Sequence, residues 1–192
     1  VNRVDVVELS ERTWPALVDL FGPNGAVAGC WCTWFLQSPR LIGKDRTDAN
    51  RELLHDRLRS GVPVGLLAMS GEQAVGWVAV APRPSYPRLA TSQIAKPAAP
   101  AEDLADVWSV TCFYVRKGMR RNGIAGVLLA GAVDCARRHG ARAIEGYPVV
   151  TDGARVSSGE LYHGTLGVFQ AAGFATVEQR SPKRALVRRE PV

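Results

Sequence analysis

The sequence predicts an α/β or α+β domain. Strand-like and helix-like segments alternate along its length. The densest strand signal, VWSVTCFYV at 107–115, passes through a glycine-bearing turn into an apolar helix. A hairpin pattern at 62–81 sets two further strands side by side. At 192 residues the chain suits one domain, 1–192, large enough to bury its own core.

The elements follow in order. RVDVVEL at 3–9 is a strand, and Thr13 to Phe21 form a short helix. A second helix runs from about Thr47 to Ser60, with Leu53, Leu54 and Leu58 on one face and Gly61 as its stop. VPVGLLAM and AVGWVAVA are the hairpin strands, joined by SGEQ. The stretch 82–106, rich in Pro and Ala, is expected to be a long mobile loop. VWSVTCFYV is dense in β-branched and aromatic residues, and the helix after it carries Ile124, Val127, Leu128, Ala132 and Cys135 at helical spacing. RAIEGYPV at 142–149 is a strand, followed by a Gly/Ser-rich loop and a helix from about Glu160 to Ala172 that Gly173 stops. ATVEQR and RALVRRE, separated by SPK, are the last strands.

Composition removes several classes. Hydrophobic residues make up 46% and charged residues 22%, which fits a folded globular protein and not a disordered or fibrous one. The longest stretch free of charge, Phe21 to Pro39, holds three glycines and Pro23, and makes a poor membrane-spanning helix. No export signal is expected in VNRVDVVELSERTW, so the expected location is the cytoplasm, without membrane contact. The net charge of +6 is mostly arginine spread along the chain, with no interleaving of basic and aromatic residues. A cationic landing surface for a phosphorylated small molecule explains it at least as well as nucleic acid, which is not expected as a partner. Of the four cysteines only Cys30 and Cys32 are close in sequence; a lone CxC lacks the further ligands of a zinc site, and no metal is expected.

The chemistry lies in RKGMRRNGIA. Arg120, Gly123 and Ala125 have the spacing R-x-x-G-x-A where a strand hands over to a helix. The first N–H groups of a helix have no intrahelical partner and lie at the positive end of its dipole, a ready site for a pyrophosphate. Gly123 lets the main chain approach closely, Ala125 presents no obstruction, and Arg120 and Arg121 add charge-assisted hydrogen bonds. An ordinary structural turn accounts for the same glycine pattern when it is taken alone. The Rossmann pattern G-x-G-x-x-G and the Lys-Ser/Thr ending of a P-loop are both absent.

The run V-x-x-x-x-R-x-x-G-x-A from Val115 to Ala125, with a β-rich strand before it and a helix ending in AAGF after it, resembles the GNAT acetyltransferase superfamily over most of the chain. The resemblance implies a mixed, mainly antiparallel sheet of about six or seven strands flanked by about four helices, splayed between strands four and five. It implies acetyl-CoA as co-substrate, with the pyrophosphate on Arg120, Arg121, Asn122, Gly123, Ile124 and Ala125. The pantetheine arm would lie along Phe113, Tyr114 and Val115, bonded by the backbone of Phe113 and Val115. It also implies direct transfer to a primary amine of a small molecule or peptide in a ternary complex, by a monomer or homodimer.

Two departures follow from the resemblance. The family's usual proton donor is a tyrosine in a motif like L-Y-x-x-x-G-F; here VFQAAGF puts Phe169 there. Tyr162, two helical turns earlier, is the candidate substitute, with a core aromatic as the alternative; His163 is expected to be solvated. The fourth strand carries no carboxylate, so Glu145 is the candidate base, or else a charge paired with Arg142 or Arg116. An ordered water chain would relax the need for a strong base. A CoA-binding protein without transfer is the alternative function.

GCWCTWF, residues 29–35, falls in the segment that walls the acceptor site in the family. Trp31, Trp34 and Phe35 are the candidate acceptor contacts, flat against an apolar group or over a cation. The alternative is that they anchor this segment to the sheet with the cysteines packed inside.

Overall fold

Seven strands join edge to edge in the order β1-β2-β3-β4-β5-β7-β6. The computed structural model describes residues 4–99, 101–151, 156 and 160–190. In chain order the elements are β1 (Asp5–Glu8), α1 (Trp14–Phe21), α2 (Thr47–Arg59), β2 (Leu66–Ser70), β3 (Gln73–Pro82), β4 (Val107–Val115), α3 (Ile124–Arg138), β5 (Ala143–Gly146), α4 (Leu166–Ala171), β6 (Ala175–Ser181) and β7 (Arg184–Arg189). Neighbouring strands run antiparallel except β4 and β5, which are parallel and are joined through α3. The mixed, mainly antiparallel sheet of seven strands with four flanking helices is the architecture expected.

The period-2 alternation of strands splits the core between two faces. On one face Val75, Val78, Val80, Trp108 and Val110 meet Leu128, Leu129, Ala132 and Ala136 of α3. Val127, expected on this stripe, is instead 42% exposed; the buried stripe runs through Leu129 and Val133, one register to the side. On the other face Leu67, Trp77 and Ala79 meet Leu17, Leu20 and Phe21 of α1 and Leu54 of α2. No helix among the described residues is long and apolar enough to cross a membrane.

Two expectations change. The stretch 82–106 is anchored: it makes two short 3-10 turns and buries Arg83, Tyr86, Leu89 and Ala95 against Tyr147 and Leu186. The helix expected over 160–172 is divided. Leu161–His163 make one 3-10 turn, Gly164 takes φ of 75°, and Thr165 bridges Val149 before α4 begins. Glycine accepts that left-handed conformation without a Cβ penalty, so the chain turns where helical spacing alone would continue. The Gly/Ser-rich loop after β5 lies mostly outside the described residues.

One irregularity in β4 sets up the site. Val80 pairs with Val110 and Ala79 with Cys112, so Thr111 is an extra residue, a β-bulge. The bulge reverses the facing of all that follows. Trp108 and Val110 point to α3; beyond the bulge Phe113 does so, and Cys112 and Tyr114 face the α1 side. Pairing with β5 ends at Val110–Gly146, while β4 runs on to Val115. From Thr111 onward β4 has parted from its parallel neighbour.

Candidate active site

A cavity of about 200 Å³ opens beside the free part of β4. Its walls are Thr111, Cys112, Phe113 and Tyr114 of β4, Tyr162 and His163 of the 3-10 turn, and the segment from Ala26 to Ile42, including Cys30, Cys32, Trp34 and Phe35. The lining is overwhelmingly apolar, as in most small-molecule sites.

That segment is held in an irregular path by local bonds. Ala26, Ala28, Trp31 and Cys32 have positive φ, costly for residues with a Cβ and sustained here by their surroundings. Asn50 of α2, 1% exposed, donates from Nδ2 to the Gly29 carbonyl at 2.7 Å, and Thr33 Oγ1 donates to the Cys30 carbonyl at 2.7 Å. The left-handed backbone at Trp31 turns its ring inward, 2% exposed, against Trp14 and Phe21. Trp31 is thus a core residue and does not line the cavity. Trp34 and Phe35 do line it: Trp34 is 38% exposed with the Arg88 guanidinium 5.3 Å from its ring centroid, and Phe35 is buried beside His163.

His163 is buried, not solvated. The turn ahead of Gly164 points it at β4, where its Nδ1 lies 2.8 Å from the Thr111 carbonyl. A carbonyl only accepts, so Nδ1 carries the proton and Nε2 is the free acceptor nitrogen, with no partner among the described residues. Burial, aided by the nearby Arg184 charge, pushes its pKa down to about 3. The ring is neutral at ordinary pH. Sequence reasoning missed this residue because it carried a helix straight through Gly164; that glycine was the available signal.

Tyr162 stands on the same turn, its ring centroid 4.3 Å from that of His163. It is half-buried and lines the cavity. Burial raises its pKa, so the phenol keeps its proton.

Glu145 is not among the cavity residues. It faces the α1 side opposite Ser109 in the β4–β5 register, 1% exposed, and is enclosed by charge. Arg83 Nη1 donates to Oε2 at 3.0 Å, Arg188 Nη2 to Oε1 at 2.5 Å, and the Tyr147 hydroxyl lies 3.3 Å from Oε2. Arg142 and Arg116, the partners expected for it, pair with Glu190 and Asp19. Two guanidiniums that neutralise Glu145 come from distant sequence, which is why its surroundings were not foreseen. Phe169 is also core: fully buried, edge-on to Phe113 and Phe174.

At its far end β4 delivers the chain into the R-x-x-G-x-A turn. Gly118, Arg121 and Gly123 have positive φ, and α3 starts at Ile124 without a side-chain cap. Among the described residues, none of the backbone N–H groups from Arg120 to Ala125 is hydrogen-bonded. A Cβ at Gly123 or Gly126 would meet nothing within 4 Å, so open space lies over these donors. Arg120, Arg121 and Asn122 are exposed around it, with Arg120 Nε on the Val115 carbonyl at 3.2 Å. Such a cradle fits a pyrophosphate.

One group of three metal-capable side chains occurs among the described residues: Glu8, Cys135 and His139. It lies at the opposite end of α3, where Arg138 already pairs with Glu8 at 2.6 Å, and it includes neither Cys30 nor Cys32.

The sequence profile of the acetyltransferase (GNAT) family matches residues 24–163. No curated protein matches the chain in sequence. Among solved structures it is similar to a PaiA N-acetyltransferase from Thermoplasma acidophilum in complex with coenzyme A, at 12% identity, TM-score 0.56, covering 98% of this chain and 99% of that one. A GCN5-related N-acetyltransferase from Kribbella flavida gives 18%, 0.57, 98% and 98%. A ribosomal-protein-alanine N-acetyltransferase from Brucella melitensis gives 18%, 0.54, 97% and 99%. At such identities the likeness speaks for the fold.

Proposed function

The chain belongs to the acetyltransferase (GNAT) family, and we propose that it transfers an acetyl group from acetyl-CoA to a primary amine of a small molecule or peptide within a ternary complex. The observation that carries this is the continuous path from the free edge of β4 beyond Thr111 to the unpaired N–H groups of Arg120 to Ala125. Acetyl-CoA, when bound, supplies an activated thioester carbonyl. The N–H groups of Arg120 to Ala125 and the guanidiniums of Arg120 and Arg121 hold the pyrophosphate. The main chain of Phe113 and Val115 orients the pantetheine arm as an added strand does.

The cavity is the acceptor side of the site. Trp34 and Phe35 exclude water and press the acceptor toward β4. His163 Nε2 accepts a hydrogen bond from the amine or from a water beside it. With so low a pKa it orients more than it removes a proton, so the acceptor enters as its neutral form. Tyr162, still protonated, is placed to give a proton to the departing thiolate. Glu145 is better read as an anchor for β5 than as the base. The whole chain acts as one domain, in the cytoplasm, and its four cysteines are free thiols in this structure.

Calorimetric titration with acetyl-CoA and with free CoA, repeated on Arg120→Glu, tests the cofactor assignment. Binding by the wild type that falls about tenfold or more in the variant is expected; no binding by the wild type overturns it. One observation favours a second reading, binding without transfer: the buried Phe169 at the usual donor position. CoA release with any amine in a broad panel removes that reading.

A further inference from the structure

We propose that Cys112 and Cys32 form a peroxide-oxidisable dithiol in the wall of the cavity, able to close into a disulfide that ties the Ala26–Ile42 segment to β4. The two sulfurs lie 3.0 Å apart on residues 80 positions distant in sequence. Both are free thiols, and both line the cavity. Different devices bring them together. The Thr111 bulge turns Cys112 to this face of the sheet, and the left-handed backbone at Cys32, φ of 55°, turns its side chain toward β4. A disulfide needs the sulfurs at about 2.05 Å, so closing the contact takes a movement of about 1 Å.

Exposure assigns the order of events. Cys112 is half-buried and Cys32 is buried. Cys32 is also held as a protonated thiol, its pKa raised by the adjacent Cys112 and by burial. Hydrogen peroxide therefore meets Cys112 first. The Cys112 sulfur takes one peroxide oxygen, giving a sulfenic acid and one water. Cys32 Sγ then attacks that sulfur, and its proton leaves with the hydroxyl as a second water. Two electrons pass from the thiol pair to the peroxide O–O bond, and two hydrogens are lost from the protein. Cys30 shares the cavity, but the sulfur in contact with Cys112 is that of Cys32, which makes Cys32 the partner in this step.

The consequence for turnover rests on the acetyltransferase reading; the disulfide itself does not. Trp34 and Phe35 sit two and three residues beyond Cys32, so the cross-link fixes the acceptor wall against β4. The cradle at Arg120–Ala125 is on the far side of Phe113–Val115 and keeps its geometry. Oxidation should slow transfer while leaving acetyl-CoA binding intact.

The test is peroxide treatment of the wild-type protein followed by intact mass and non-reducing peptide mapping. A loss of about 2 Da and a peptide joining Cys32 to Cys112 are expected, reversed by dithiothreitol. Cys30→Ser should retain the cross-link and Cys112→Ser should lose it. No cross-linked peptide, or one joining Cys30 to Cys112, overturns the proposal, and either result is read on wild-type protein without depending on a variant that folds. For the functional half, turnover should drop about fivefold or more on oxidation with acetyl-CoA affinity within about twofold. Unchanged turnover in a fully cross-linked sample overturns control of the site, whereas no acetyl-CoA binding in the reduced protein would instead overturn the acetyltransferase reading.

Discussion

Gly146 and Phe169 occupy one space: a methyl group on Gly146 would run into the edge of the Phe169 ring. The last paired residue of β5 therefore has to be glycine because the edge of the ring on α4 takes the place of a Cβ, the ring being fully buried between Phe113 and Phe174. The ring cannot back away without disturbing both partners, since packed interiors have little free volume. Gly146→Ala should cost about 1–3 kcal/mol by overpacking. Urea denaturation checks it, and Phe169→Leu combined with Gly146→Ala should recover part of the loss, a coupling expected only for groups in contact.

His163 makes acid stability a second prediction. Its folded pKa of about 3 lies below the unfolded value near 6.5, through burial first and the Arg184 charge second. The unfolded chain then binds the proton more readily, so stability rises with pH through this group. Its contribution is fully present above about pH 6.5 and is lost as pH falls toward 3. The slope is about 1.4 kcal/mol per pH unit between those limits. Stability curves of wild type and His163→Gln at pH 7, 6, 5 and 4 should converge on acidification by that amount. Parallel curves would mean that the imidazole is accessible enough to titrate normally.

What could be read from the sequence follows from how local the signal was. The limits of β4, the hairpin strands and the cradle turn are set by neighbouring residues: β-branched density, turn residues, and glycine where a strand becomes a helix. The Thr111 bulge has no such mark. Every residue in VWSVTCFYV favours a strand, and nothing within the run says which is extra. Without that residue the facing of Cys112 and Tyr114 is undetermined, and with it the cavity wall. Trp31 was opaque for a related reason, because left-handed φ at a tryptophan is dictated by tertiary contacts and not by its own preference. The burial of Glu145 depends on Arg83 and Arg188, 62 and 43 residues away.

The enclosure of Glu145 yields a third prediction. Its carboxylate sits between Arg83 and Arg188, whose side chains are 5% and 13% exposed. Removing the charge leaves Arg83 without its carboxylate partner in a desolvated place, while Arg188 keeps Glu102; breaking such a buried pair typically costs about 3–5 kcal/mol. Glu145→Gln should lower the urea midpoint accordingly. The same variant separates anchor from base. An anchor leaves turnover of the folded protein within a few-fold and its pH profile unmoved, whereas loss of a general base costs roughly 10²–10⁴ in rate and removes the acidic limb.

Tyr162 lines the cavity with a phenol able to give a proton. Its phenol is held protonated by burial, with Arg184 partly offsetting that effect, and its ring shares a turn with the histidine that meets Thr111 of β4. A donor to the departing thiolate is needed only as the carbon–sulfur bond breaks. Its loss should thus lower kcat and kcat/KM alike and leave acetyl-CoA affinity unchanged. Tyr162→Phe keeps the ring and removes only the hydroxyl, and a fall in kcat of about a hundredfold is expected. A rate within twofold of wild type would make Tyr162 part of the wall, with solvent protonating the thiolate; dependence of the variant's rate on buffer acid would then tell whether a small external donor can occupy the same place.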